Sequence, residues 1–126
     1  MIFLVRLVQT LSRWLFWPGV ALIAWGELTP QPPQFGGVLG WDKLLHFTAY
    51  FGLASMATMV VGARPKLAWT LLGVILFGGL LEILQGFTGR DPEILDFVAN
   101  SMGAFAGLGV ALLFLRLPLV GARRAD

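Results

Sequence analysis

The chain has 126 residues, of which 57% are hydrophobic and 13% charged, with a mean hydropathy of +0.80 and no cysteine. These values exclude a soluble domain and identify an all-α integral membrane protein with no room for a separate soluble catalytic module. The net charge of +2 is too small to point to nucleic acid, and the lack of Cys removes disulfides, thiolate nucleophiles and Cys-ligated metals.

A spanning helix needs about 20 mostly apolar residues, and windows of that kind fall at residues 11–28, 44–61, 67–87 and 97–117. The sequence therefore predicts a small bundle of four transmembrane helices in a single domain. Pro18 and Gly19 interrupt the first window, and Arg6, Gln9, Thr10 and Arg13 line one polar stripe ahead of it, so residues 2–13 read as partly interfacial. No small-x-small cleavage site precedes the polar Gly26-Glu27 segment, which favours an uncleaved anchor over a signal peptide. Seven basic residues (Arg6, Arg13, Arg64, Lys66, Arg116, Arg123, Arg124) fall on one side of the helices, and two (Lys43, Arg90) on the other. The positive-inside rule then puts both termini in the cytoplasm and the loops at residues 29–41 and 88–93 outside. The first of these loops carries Pro30, Pro32 and Pro33, which forbid a helix, and reads as a connector or a short cover.

The second window opens with Asp42, Lys43, His46 and Tyr50. Asp42, His46 and Tyr50 are four residues apart and share one helical face, where a carboxylate can orient an imidazole or simply cap the helix. In the third window Glu82 and Gln85 lie near the outer end, with Glu82 deep enough to be desolvated. Glu82 serves there either as a lock paired with Lys43, His46 or Arg90, or in binding and proton transfer. The fourth window begins after Asp91-Pro92-Glu93, which reads as an N-cap with proline at the first helical position and acid in the first turn. Asp96 and Asn100 follow on one face. Below them Ala99, Gly103, Gly107 and Ala111 form a small-residue ridge suited to close helix packing. Arg90 stands just outside, placed to neutralise Glu82 or Asp96 or to clamp an anionic ligand group. All these polar residues crowd the same, outward end of three apolar runs. A charged side chain at bilayer depth costs roughly 2.5 to 3.5 kcal/mol on insertion scales, so their convergence marks the candidate site.

The strings Asp42-Lys43-Leu44-Leu45-His46-Phe47-Thr48-Ala49-Tyr50, Glu82-Ile83-Leu84-Gln85, Arg90, and Asp96-Phe97-Val98-Ala99-Asn100-Ser101-Met102-Gly103 together resemble the VanZ-like membrane family over about residues 42–107. Ser101 stands where Thr is common, and the segment between Arg90 and Asp96 is more acidic than the family pattern. The resemblance implies a multi-pass protein of the bacterial cytoplasmic (inner) membrane. It also implies an accessory part in the cell-envelope response to teicoplanin-type lipoglycopeptide antibiotics, with no catalytic residues to carry over.

Two mechanisms fit the residues. One is a binding module that takes membrane lipids or another lipophilic ligand, with Arg90 and Lys43 at the head group. The other is an intramembrane enzyme modifying an envelope lipid, with Glu82 or His46 as general base. The single His excludes a multi-His centre, no motif for a metal or cofactor is present, and neither is expected. The oligomeric state is left open.

Overall fold

A computed structural model describes residues 2–30 and 41–123, with side chains as far as residue 116. The described residues form four helices: α1 (Ile2–Leu28), α2 (Trp41–Val61), α3 (Lys66–Gln85) and α4 (Ile94–Arg123). Most of the proline-rich segment between α1 and α2, and the side chains of Arg123 and Arg124, lie outside the described residues.

Local chemistry explains the breaks between helices. Helix α2 ends at Gly62, whose φ of 70° lets its N–H donate to the Thr58 carbonyl at 2.7 Å, a left-handed cap that glycine adopts without steric cost. Pro65, with φ of −54°, precedes α3, where a missing N–H loses nothing. After α3 the chain turns through Gly89 (φ 81°), and the Thr88 hydroxyl donates to the Gln85 carbonyl left over at the helix end. Helix α4 then starts at Ile94, later than the sequence signature suggests. The carbonyl of Glu93 accepts the N–H groups of Asp96 and Phe97, so Glu93 occupies the cap position expected for Asp91, and Pro92 packs beside Gly86 instead of opening the helix.

Helix α1 is continuous from Ile2 through Pro18 to Leu28, longer than the span at residues 11–28. A proline inside a helix removes one hydrogen bond without ending the helix where neighbours hold it. Helices α2, α3 and the stretch Ile94–Arg116 of α4 are long and apolar enough to cross a membrane; α1, with its polar stripe, is not among them.

Large apolar side chains face outward along the bundle, while polar ones are buried at one end of it. Trp14, Trp69, Phe87 and Ile94 are each at least 75% exposed, whereas Gln85 and Asn100 retain 1% of their surface. Such a distribution suits a hydrocarbon surround and would be costly in water.

Helices α2 and α4 run parallel and pack most closely. A Cβ on Gly103 would collide with the Phe47 carbonyl, and one on Gly107 with the Phe51 carbonyl, while Ser55 donates to the Gly107 carbonyl at 3.2 Å. Ala104 and Ala111 are buried along the same helix, and Ala99 is half-buried. The apolar core continues through Tyr50, Leu53, Ala54 and Ala57 to Val74, with Phe16, Val20 and Ile23 of α1 against it. Gly78 leaves room for the Tyr50 ring, which stands 6.3 Å from that of Phe77.

Because the obstruction at Gly103 is backbone, relaxation is limited. Gly103→Val should destabilise the protein by about 3 kcal/mol, at the upper end of overpacking costs. Gly109→Ala meets nothing within 4 Å and should be neutral or stabilising by up to about 1 kcal/mol through helix propensity. Equilibrium unfolding of both variants in detergent micelles checks the contrast.

Candidate functional site

The C-terminal ends of α1 and α3 meet the N-terminal ends of α2 and α4, and the polar residues gather at this junction. Asp42 and Asp96 lie in the first turns of α2 and α4, where the helix macrodipole favours negative charge. Glu27 and Glu82, by contrast, sit near helix C-termini, where the macrodipole opposes them, and both are buried.

His46 is the centre of the cluster. Its Nδ1 lies 3.0 Å from Asn100 Oδ1, 3.6 Å from Glu27 Oε1 and 3.9 Å from Glu82 Oε1. Its Nε2 lies 3.6 Å from Asp96 Oδ2 and 3.8 Å from Asp42 Oδ1. Four carboxyl groups from three further positions in the fold and its own helix thus surround one imidazole that is 5% exposed.

Lys43 supplies the positive charge nearest to them. Its ammonium is 2.5 Å from Asp96 Oδ1, 2.6 Å from Glu93 Oε2 and 3.4 Å from Asp42 Oδ2. Asp96 is buried and Lys43 is half-buried, so this pair has little water between it and the bundle interior, and the ammonium serves three acids at once.

Glu27 is held from every side. Its Oε2 accepts the Tyr50 hydroxyl at 3.4 Å, and its carbonyl accepts both Gln85 Nε2 at 3.0 Å and Arg90 Nη1 at 2.8 Å. Glu82 Oε2 accepts the backbone N–H of Glu93 at 3.3 Å. The other oxygens of both glutamates, Glu27 Oε1 and Glu82 Oε1, and Asn100 Nδ2 are buried with no hydrogen-bond partner among the described residues. Each such atom carries a desolvation cost of about 1 to 3 kcal/mol, which a bound donor would relieve at the two carboxylate oxygens and a bound acceptor at the Asn100 amide.

The structure therefore brings together Asp42, Lys43, His46, Tyr50, Glu82, Gln85, Asp96 and Asn100, with Asp42 at the solvent-facing edge. The hydrogen bond of Arg90 goes to the Glu27 carbonyl at 2.8 Å, while its charge still acts on Glu82 as the sequence reading allows. Glu27 was not among the residues singled out by pattern. Its sequence signal was available, since it is the last charged residue of α1 at the same end as the others. Glu93 also enters the cluster through Lys43, beyond its place at the helix start.

Beside the cluster, α3 and α4 enclose an open groove of about 640 Å³. Gly79, Ile83, Gly86, Phe87, Ile94 and Phe97 form its apolar part, and Glu82 and Glu93 are the charged residues that reach it.

A comparison with protein families matches residues 3–115 to VanZ/LLP1. The chain belongs to the VanZ/LLP1 family. No curated protein and no solved structure matches it. The match covers α1 as well as the three apolar helices, and so includes Glu27, which the resemblance over residues 42–107 left out.

In this VanZ/LLP1 chain, removing one partner of the Lys43–Asp96 pair leaves a buried charge. Lys43→Met should cost about 3 kcal/mol, and the double variant Lys43→Met/Asp96→Asn should recover most of that loss. Asp42→Asn, at the exposed edge, should change stability by less than about 0.5 kcal/mol. A double-mutant cycle by thermal unfolding in detergent reads all three.

Proposed function

We propose that this VanZ/LLP1 protein is a multi-pass protein of the bacterial cytoplasmic membrane that holds an acyl chain or similar lipophilic group in its α3–α4 groove. In this reading all four helices span, both termini are cytoplasmic, and the groove opens in the outer leaflet. The distribution of basic residues, seven on one side against two on the other, supports the orientation. The biological setting is an accessory role in the envelope response to lipoglycopeptide antibiotics, for which family membership is the support.

The groove itself carries the proposal. Its volume and apolar walls suit an alkyl chain, and it lies where the outward faces of α3 and α4 meet lipid. Charge fixes the character of the head group. Lys43 is committed to Asp96 and Glu93, and Arg90 to the Glu27 carbonyl, whereas Glu82 and Glu93 border the groove. A head group offering amine or hydroxyl donors fits this rim better than a phosphate or carboxylate does. His46 is buried away from the groove lining, so of the two candidate bases only Glu82 reaches the groove.

The discriminating variant fills the groove without disturbing the cluster. Gly86 has helical φ and ψ, and a Cβ there meets only ordinary contacts, so Gly86→Leu should fold while projecting a side chain into the space. Wild-type protein should retain acyl lipid in native mass spectrometry. Gly86→Leu should bind it about tenfold more weakly, a loss of about 1.4 kcal/mol, and should lose protection against teicoplanin-type compounds in a susceptible Gram-positive host at matched membrane levels. Full retention and protection by the variant would reject the groove as the site. An altered lipid product in place of a retained lipid would move the assignment to catalysis.

A further inference from the structure

We propose that Asp42, His46 and Asp96 form a binding site for a single first-row divalent transition ion, of the Zn²⁺ or Mn²⁺ class, at the solvent-facing edge of the cluster. The site is separate from the lipid-binding groove and does not depend on it.

The tautomer of His46 is the first ground. Among the described residues, the one oxygen within hydrogen-bond distance of the ring is Asn100 Oδ1, 3.0 Å from Nδ1, and an amide oxygen only accepts, so the proton is assigned to Nδ1. Nε2 then presents a lone pair. It makes no hydrogen bond among the described residues, although the side chain is 95% buried, and it points between Asp42 Oδ1 and Asp96 Oδ2. Three electron-rich atoms facing one another at 3.6 and 3.8 Å repel unless a cation lies among them.

The division of oxygens between Lys43 and His46 is the second. Lys43 binds Asp42 through Oδ2 and Asp96 through Oδ1, the opposite oxygen of each carboxylate from the one that faces Nε2. The ammonium thus orients both acids and leaves the inward oxygens to a second cation. It acts as an outer-sphere partner, as does Asn100 on the far side of the ring.

The dimensions are those of a metal site. The three ligand atoms all lie within 4.8 Å of one another. For metal–ligand distances of about 2.0 to 2.2 Å, angles of roughly 110° to 120° separate ligand atoms by about 3.3 to 3.8 Å, so both nitrogen–oxygen spacings, 3.6 and 3.8 Å, already fit, and the two carboxylates would close around the ion. One imidazole nitrogen with two carboxylates suits Zn²⁺ or Mn²⁺ better than Mg²⁺ or Ca²⁺, which favour all-oxygen sets. Asp42 is exposed, giving the ion an entry path and leaving coordination positions for water. A bound ion would fasten the start of α2 to the start of α4.

The test uses full-length, tag-free protein in detergent, stripped with chelator and titrated with Co²⁺, whose visible absorption reports nitrogen and oxygen ligation. Wild type should bind one equivalent saturably, with Zn²⁺ displacing the Co²⁺ signal and Mg²⁺ leaving it unchanged. Asp42→Asn, which lies at the edge and should fold, is expected to weaken binding by tenfold or more. Asp91→Asn, which removes an exposed acid outside the cluster, should bind as wild type does. No saturable uptake by folded wild type would overturn the assignment, as would an affinity unchanged in Asp42→Asn or lost equally in Asp91→Asn.

Discussion

Asp96 is almost wholly withdrawn from solvent, so its place in the fold requires a cation beside it, and the Lys43 ammonium at 2.5 Å supplies that cation from the first turn of α2. This requirement sets the register of α2 on α4. With Lys43 opposite Asp96 and His46 opposite Asn100, the next turns bring Phe47 onto Gly103 and Phe51 onto Gly107. The polar contact at the helix starts and the small-residue contact below it specify the same alignment. A slide of one turn would strand Asp96 and drive a side chain into the opposing backbone at the same time. Agreement between two such unlike interactions is what gives a membrane bundle, with no hydrophobic drive between its helices, a single arrangement.

The same cluster is costly to hold. Glu27 and Glu82 occupy the ends of α1 and α3 where the helix dipoles disfavour them, and each keeps one buried oxygen without a partner. A bundle needing only a lock could end with Lys43 and Asp96. Additional buried acids around an imidazole are difficult to explain as packing, and their convergence at one end of the bundle argues for an electrostatic task there.

Much of this could be read from the sequence because the chemistry is periodic. Helices α2, α3 and α4 begin and end within a few residues of the apolar windows, and the four-residue spacing of Asp42, His46 and Tyr50 put them on one face. Glu27 escaped because its helix carries no repeating motif and because a single acid at an apolar boundary looks like an ordinary terminus. Its importance arises from tertiary contacts with Tyr50, Gln85 and Arg90, none of which has a local signature. Charge alone leaves Arg90 open to a buried acid or an anionic ligand group; its reach from the α3–α4 turn ends in a hydrogen bond to a backbone carbonyl, with Glu82 still within its influence. Formal charge alone does not rank a carbonyl against an acid when the loop sets the geometry. The start of α4 shifted for a similar reason: the Asp-Pro-Glu signature allows a cap at either acid, and packing of Pro92 beside Gly86 selects Glu93.

Helix α1 shows how a weakly apolar segment becomes part of the bundle. Its C-terminal end is tied by the Glu27 carbonyl, which accepts donors from both Gln85 and Arg90 where helical partners have run out. Two charged or amide donors on one free carbonyl satisfy the helix terminus and position the Glu27 side chain against His46 in the same step. Burial of Phe16, Val20 and Ile23 against the core then follows along the helix. The C-terminal end of α1 is thus fastened by the last turn of α3 and by Arg90 in the segment after it, the same segment that contributes Phe87 and Pro92 to the groove, while the rest of α1 is held by the core.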